Sequence, residues 1–213
     1  MYDVKPENRP KSGLIDESYW TDLTKHGLAA YPKSKTMAEQ AAWKFQKSLP
    51  ESERFDLITI NPGLLLGRAL IPMSFGSGVL IQKWLLGKYP ILPKAMTSIC
   101  EVQAAAEAHL KAVIVPEAAN NRFILANKMY RYKDIAIALN REFAPHGYTI
   151  PTREMTCYSQ LYLLSLFKPE MKQLLEKWAY RFEVSNRRSR EILGIKYGDL
   201  DRIICDMGYS MIE

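Results

Sequence analysis

The sequence contains few cysteines and no long apolar run. Its three cysteines, Cys100, Cys157 and Cys205, form no CxxC pair and have no histidine at metal-ligand spacing, so no metal site is expected. The longest segments without a charged residue, 69–82 and 155–167, fall short of the ~20 residues of a membrane helix. Residues 1–13 lack the apolar core of a secretory signal. We therefore expect free thiols, a cytoplasmic location and no membrane partner.

The charge distribution argues against a nucleic-acid partner. Lys and Arg number 29 against 23 Asp and Glu, which gives a net charge of +6. These basic residues are scattered, and the densest cluster, Arg187, Arg188 and Arg190, has no aromatic residues between its members. Such a short cluster is typical of a solvated helix face. With 47% hydrophobic and 24% charged residues, the 213-residue chain has the composition of one large or two small globular domains.

Apolar periodicity predicts an α/β fold. Helices are predicted at 30–48, 78–86, 101–115, 132–143, around 158–180, at 186–194 and near 199–207. The first has Met37, Ala41 and Phe45 on one apolar face and is followed by Pro50. Two short apolar runs, 57–60 and 122–126, predict strands buried in a parallel sheet. Two strands are too few for a doubly wound sheet, so either further strands are hidden or part of the sheet is absent.

The sequence lacks the common motifs of nucleotide-binding loops, zinc proteases and serine hydrolases. The sequence has no GxxxxGK[ST], HExxH or GxSxG. Its GxG, Gly76-Ser77-Gly78, follows no β-rich strand and lacks a third glycine, so we interpret it as a turn that begins a helix rather than as a dinucleotide-binding loop.

Tyr31 and Lys35 form one pair with a clear chemical logic. On a helix, residues four apart lie on the same face. An ammonium ion near a phenol favours the phenolate, so such a pair can pass a proton to or from a substrate oxygen. With 12 Tyr in 213 residues, however, about one such spacing arises by chance, and a surface helix contact is the alternative.

Three segments in order carry a resemblance to a known family. Tyr31-Pro32-Lys33-Ser34-Lys35 begins a helix, the strand after it ends in Asn61-Pro62-Gly63-Leu64, and Ala106-Glu107-Ala108-His109 follows. From about Trp20 to the C-terminus, the chain resembles the extended short-chain dehydrogenase/reductase family, and within it the dihydroflavonol reductase and cinnamoyl-CoA reductase-like branch.

The resemblance implies a Rossmann-type, doubly wound parallel sheet that is here partial, and a smaller mixed C-terminal substrate domain. Residues 1–63, with 98–127 returning to them, would belong to the cofactor domain, and 64–97 and 128–213 to the substrate domain. Tyr31 would be the catalytic acid–base residue, and Lys35 would tune it and hold the nicotinamide ribose. Pro62, Gly63 and Leu64 would lie along the nicotinamide. The cofactor would be NADP or NAD, with NADP favoured, and the substrate a small carbonyl compound or secondary alcohol.

The departures from the family are equally specific. Only 30 residues precede Tyr31, so we expect the family's Gly-rich loop and its catalytic Ser to be absent from this chain. The family's Asp-Val-Arg-Asp run becomes Glu101-Val102-Gln103-Ala104. Two alternatives to an oxidoreductase follow: a non-catalytic remnant, or a protein that binds a small ligand or a partner. We expect the chain alone either to be prone to aggregation or to depend on a partner that covers an exposed strand edge. We also expect it to bind no dinucleotide measurably in calorimetry.

Overall fold

Helices and short strands are interspersed along the described part of the chain. The computed structural model describes residues 10–70, 76–167, 171–175, 178 and 182–212. The helices are α1 (Ala30–Ser48), α2 (Gly76–Leu85), α3 (Val102–Ile114), α4 (Tyr132–Phe143), α5 (Tyr158–Phe167), α6 (Lys172–Leu175), α7 (Arg187–Glu191) and α8 (Leu200–Ile212). The strands are β1 (Leu14–Ile15), β2 (Thr59–Pro62), β3 (Leu64–Leu66), β4 (Met96–Glu101), β5 (Arg122–Leu125), β6 (Met129–Arg131) and β7 (Glu183–Val184).

The pairing of these strands confirms the predicted α/β fold. β1 pairs with β7 in parallel, β2 pairs with β5, and β4 lies between β3 and β6. The pairing of β3 with β4 is parallel and that of β4 with β6 antiparallel, so the three-stranded sheet is mixed. Part of the predicted helical region around 158–180 lies outside the described residues. α5 and α6 occupy the part that is described.

The chain divides into two compact units. The first falls within Met1–Asn61, Ala106–Leu125 and Phe182–Ile195, and the second within Pro62–Ala105, Ala126–Arg181 and Lys196–Glu213. The first thus includes 182–195, a segment that the sequence assigns to the substrate domain. A cofactor role for one unit and a substrate role for the other stay predictions.

In the first unit, α1 has the predicted bounds but not the expected orientation. Its buried residues are Thr36 and Gln46, whereas Met37 and Phe45 are 51% and 58% exposed. The apolar stripe seen in the sequence therefore points outward, because polar groups on the opposite face find partners in the unit. β2 begins two residues later than predicted and is half-buried rather than buried on both faces. β5 is confirmed as a buried strand, with Phe123, Ile124 and Leu125 almost fully covered.

The second unit holds the larger apolar core. Most of its members come from β3, α2, β4, α4 and α8, including the fully buried side chains of Ile81, Trp84, Ile99, Ile135, Leu139 and Phe143. The close approach of α8 to α4 requires a glycine, because a Cβ on Gly208 would lie 2.5 Å from Cζ of Phe143. Asp134 accepts a hydrogen bond from the backbone N–H of Arg131 at the start of α4. The Asp134 contact supports the start of α4, which has its predicted bounds.

Candidate functional site

The predicted catalytic pair lies on the first turns of α1. The ammonium nitrogen of Lys35 is 5.8 Å from the centroid of the Tyr31 ring. Both side chains are exposed, and that of Tyr31 is 73% accessible. Ser34 donates a hydrogen bond of 2.9 Å to the carbonyl oxygen of Tyr31, which supports the first turn. The phenol is therefore accessible to a ligand and has a positive charge beside it, the two properties that proton transfer to a substrate oxygen requires.

The start of α1 lacks the usual stabilising groups. Ala29 occupies the N-cap and provides no side-chain cap. The first turn contains no acidic residue, and Lys33 and Lys35 place positive charge near the positive end of the helix dipole. The turn that carries the pair is thus intrinsically prone to fraying, and its order depends on contacts further along the helix.

Pro62, Gly63 and Leu64 lie where β2 ends and β3 begins. Leu64 pairs with Ile99 of β4, and all these residues belong to the second unit. A Cβ on Gly63 would lie 2.6 Å from Oγ and 2.7 Å from the carbonyl oxygen of Ser98. Sheet packing therefore explains the glycine without any ligand. Contact of these three residues with a nicotinamide stays a prediction, as does the pairing of this turn with Tyr31 and Lys35.

Glu39 forms a polar centre that our reading of the sequence missed. Its carboxylate accepts hydrogen bonds from Nε of Arg122 at 2.7 Å, Oγ1 of Thr59 at 2.8 Å, Nε1 of Trp43 at 3.4 Å and Nδ2 of Asn61 at 3.5 Å. Burial raises the pKa of this carboxyl, but the hydrogen bonds from Arg122 and Thr59 and the charge of Arg122 outweigh it, so the pKa is lower than usual. The available signal was the spacing, since Glu39 follows Tyr31 and Lys35 at intervals of four.

Glu101 of the altered Asp-Val-Arg-Asp run has a structural partner in the second unit. Its side chain is 7% exposed and forms an ion pair of 2.6 Å with Nη2 of Arg202 on α8. Ala104 is buried, whereas Gln103 is exposed. The first position of the run therefore fastens α8 to the end of β4, and the buried Ala104 has no polar contact to make.

The chain fits one end of a nicotinamide dinucleotide better than the other. Tyr31 and Lys35 are exposed and suited to a ribose hydroxyl and a substrate oxygen. Gly76, in contrast, is the first residue of α2, which confirms that the GxG begins a helix. A pyrophosphate needs a Gly-rich turn between a strand and a helix, and this sequence contains none.

The described residues contain no group of three or more potential metal ligands. None of the helices in the described ranges is long and apolar enough to cross a membrane.

Comparison with known proteins identifies the chain's relatives, although no protein-family model matches it. Cinnamoyl-CoA reductase 2 of Medicago truncatula is 32% identical over 148 residues, which are 68% of this chain and 42% of that protein. The relatives of this chain are reductases of the extended short-chain dehydrogenase/reductase type, as its sequence motifs predict. Tetraketide alpha-pyrone reductase 1 of Arabidopsis thaliana is 28% identical over 215 residues, 99% of this chain and 56% of that protein. The chain thus spans about half the length of these curated relatives.

The solved structures agree on the fold. Yeast methylglyoxal/isovaleraldehyde reductase Gre2, crystallised with NADPH, matches with a TM-score of 0.74 and 22% identity, over 96% of this chain and 58% of that one. At this identity the likeness concerns the fold, which is Rossmann-like. The predicted fold class is therefore confirmed.

Proposed function

We propose that the chain provides the proton-donating and substrate-binding parts of an NADP(H)-dependent reductase that acts on a carbonyl group of a small molecule, or on the secondary alcohol in reverse. The observation that carries the proposal is the exposed Tyr31 ring with the Lys35 ammonium 5.8 Å from its centroid. The reductases related to this chain suggest the reaction class, and the NADPH bound by Gre2 favours NADP over NAD.

Tyr31 donates a proton in this scheme. Reduced nicotinamide, when bound, supplies a hydride to the carbonyl carbon. As negative charge develops on the carbonyl oxygen, the O–H of Tyr31 gives it a proton and becomes a phenolate. Lys35 stabilises that phenolate through its positive charge and donates a hydrogen bond to the nicotinamide ribose. The carbonyl compound is thereby reduced to an alcohol, and solvent returns a proton to Tyr31.

In the proposal, the two domains that the sequence predicts, whose bounds differ from those of the two compact units, have different tasks. Residues 1–63 and 98–127 hold the nicotinamide end of the cofactor, with Pro62, Gly63 and Leu64 along its ring. Residues 64–97 and 128–213 bind the substrate. The apolar core supports this division, because most of its members lie within 64–97 and 128–213 and give the predicted substrate domain a core of its own.

The first test measures ligand binding by saturation-transfer NMR, which detects far weaker complexes than calorimetry. The chain should transfer saturation to the ring protons of reduced nicotinamide mononucleotide but not to adenosine 2′,5′-bisphosphate, because the residues present suit only the nicotinamide end. Lys35→Met should weaken the nicotinamide signal, whereas Lys44→Met, the same change further along α1, should not. Equal signals from both ligands, or none from the nicotinamide, would favour the non-catalytic alternatives.

The second test measures turnover after this chain is joined to the Gly-rich cofactor region of a relative. Tyr31→Phe removes only the phenolic O–H, so kcat should fall by about 10²–10⁴-fold, the usual contribution of a general acid. Nicotinamide binding should persist, because the ring and Lys35 remain. Turnover equal to the parent's would remove Tyr31 from the mechanism.

A further inference from the structure

Tyr31 and Lys35, the pair on which the proposed function depends, lie at the start of α1, which has few stabilising groups. Tyr31 and Lys35 occupy the first turns of α1, where Ala29 provides no side-chain cap and no acidic residue offsets the helix dipole. The exposed side chain of Tyr31 leaves little packing to hold the turn. A general acid displaced by about 1 Å can lose on the order of 10²-fold in rate. Some contact beyond the first turn must therefore fix this end of the helix.

Glu39 is placed to provide that contact. It follows Lys35 by one turn and lies on the face of α1 that meets β2 and β5. Arg122 binds its carboxylate with two nitrogens, Nε at 2.7 Å and Nη2 at 3.3 Å, and the two side chains are only 13% and 14% exposed. Thr59 of β2 adds a hydrogen bond of 2.8 Å. The carboxylate thus fixes both the rotation of α1 and its position along the strands.

Arg122 is itself held from the other side. Its Nη1 donates hydrogen bonds to the carbonyl oxygens of Glu17 and Tyr19, and its guanidinium lies 3.7 Å from the centroid of the Trp20 ring. Stacking and bidentate pairing restrict the guanidinium to one orientation. Glu39 therefore pairs with an arginine whose orientation is fixed by the loop between β1 and α1.

The C-terminal end of α1 has a separate anchor. Nε2 of Gln46 donates hydrogen bonds to the carbonyl oxygen of Phe55 at 2.9 Å and to Oδ1 of Asn120 at 3.1 Å. This buried amide holds the last turns, whereas Glu39 lies closer to the first turns. The helix therefore offers two comparable polar anchors, and only one of them lies next to the candidate catalytic pair.

We propose that Glu39, through its ion pair with Arg122, is a positioning residue that holds the first turns of α1, and with them Tyr31 and Lys35, in the geometry that proton transfer needs. The proposal rests on the proposed function for the task of the pair, and on the contacts of Glu39 for the mechanism.

Amide hydrogen exchange of the 213-residue chain, measured by NMR, tests the anchoring. Glu39→Gln keeps the size of the side chain but removes its charge. It should speed exchange of amides 34–39 on the order of tenfold, the factor that corresponds to a charge-assisted hydrogen bond. Gln46→Leu, the matched control on the same helix, should speed exchange near the C-terminal end of α1 and leave 34–39 as in the parent. Identical exchange profiles for the two variants would overturn the proposal.

Arg122→Lys provides the test from the other partner. Lysine keeps the positive charge but cannot bind a carboxylate with two nitrogens in a fixed plane. It should reproduce the faster exchange at 34–39 to a smaller degree. If Glu39→Gln does not fold, this variant decides alone: unchanged exchange at 34–39, or a uniform increase along the chain, would overturn the proposal.

Ligand binding separates this proposal from the proposed function. Saturation transfer to reduced nicotinamide mononucleotide should fall in Glu39→Gln and persist in Gln46→Leu, a difference that general destabilisation would not produce. A parent chain that gives no nicotinamide signal but shows the local exchange pattern would defeat the proposed function and leave the anchoring role intact. Normal nicotinamide binding in Glu39→Gln would defeat the positioning role alone.

Discussion

Gly63→Ala should destabilise the protein in the absence of any ligand. A Cβ at this position would lie 2.6 Å from Oγ, 2.7 Å from the carbonyl oxygen and 2.9 Å from the carbonyl carbon of Ser98. Ser98 is 4% exposed and belongs to β4, which lies between β3 and β6. Two of the three atoms are backbone atoms, so the strand itself must move to admit a methyl group.

The expected cost follows from this crowding. Overfilling a packed site destabilises by roughly 1–3 kcal/mol, and we expect the upper part of that range because a rotamer change of Ser98 cannot relieve the backbone contacts. For a chain of this size, each kcal/mol lowers the melting temperature by about 2–4 °C, so a cost of about 2–3 kcal/mol should make Gly63→Ala melt roughly 4–12 °C below the parent.

The assay is a pair of thermal and urea melts with Gly76→Ala as the control. A Cβ on Gly76 meets nothing within 4 Å, and alanine is the better helix former. This variant should be neutral or more stable by up to about 1 kcal/mol. If Gly63→Ala instead melts with the parent, packing does not require the glycine. The turn would then be free for the nicotinamide contact that the family resemblance implies.

Further predictions concern an ion pair and the thiols. Arg202→Met should destabilise by about 1–3 kcal/mol in a urea melt, because Glu101 is left charged and buried, and Glu101→Gln in the same protein should recover part of the loss. Equal stabilities of the single and double variants would refute this account. Among the three thiols, Cys157 should react first with iodoacetamide at neutral pH, since it is exposed and a hydrogen bond with Ser159 lowers its pKa. Burial raises the pKa of Cys100 to about 12, so that thiol should react last, and mass spectrometry of the labelled peptides would reveal any other order.

Helices with end signals in the sequence were predicted closely. α1 ends at Ser48, just before Pro50, and α4 spans 132–143 as its apolar periodicity indicates. In both cases the decisive information lies within one turn of the helix end, as a proline or as a capping carboxylate. Local sequence therefore sufficed for their bounds.

The short strands were missed for a physical reason. β3 and β6 have three residues each, too few to show an alternation, and each forms because β4 pairs with it. β1 has two residues and pairs with β7, far along the chain. Of the two alternatives that the sequence leaves open, the presence of hidden strands is therefore correct. The positions of these strands depend on non-local pairing, which periodicity does not report.

The predicted orientation of α1 was wrong for a related reason. Its apolar stripe predicts burial of Met37 and Phe45, yet both are more than half exposed. The polar face is buried instead, because Glu39 and Gln46 find partners in Arg122 and Asn120. Apolar periodicity reports which face of a helix loses free energy when it is exposed to water. It does not report the hydrogen bonds and ion pairs that the polar face can form, and in α1 these contacts determine the orientation.

The candidate site combines a local sequence motif, the Tyr31–Lys35 pair, with a non-local ion pair between Glu39 and Arg122. The two features differ in how well they distinguish such a site from a chance arrangement. The spacing of Tyr31 and Lys35 arises about once by chance in a chain of this composition. The pairing of Glu39 with Arg122 joins residues 83 positions apart through two nitrogens and two oxygens, a geometry that chance spacing does not produce. A Tyr-Lys pair followed one turn later by a carboxylate, with an arginine at the start of a buried strand to receive it, is therefore a stricter criterion for this site than the pair alone. If Glu39 has the positioning role, the loss of its charge should displace Tyr31 and Lys35 together.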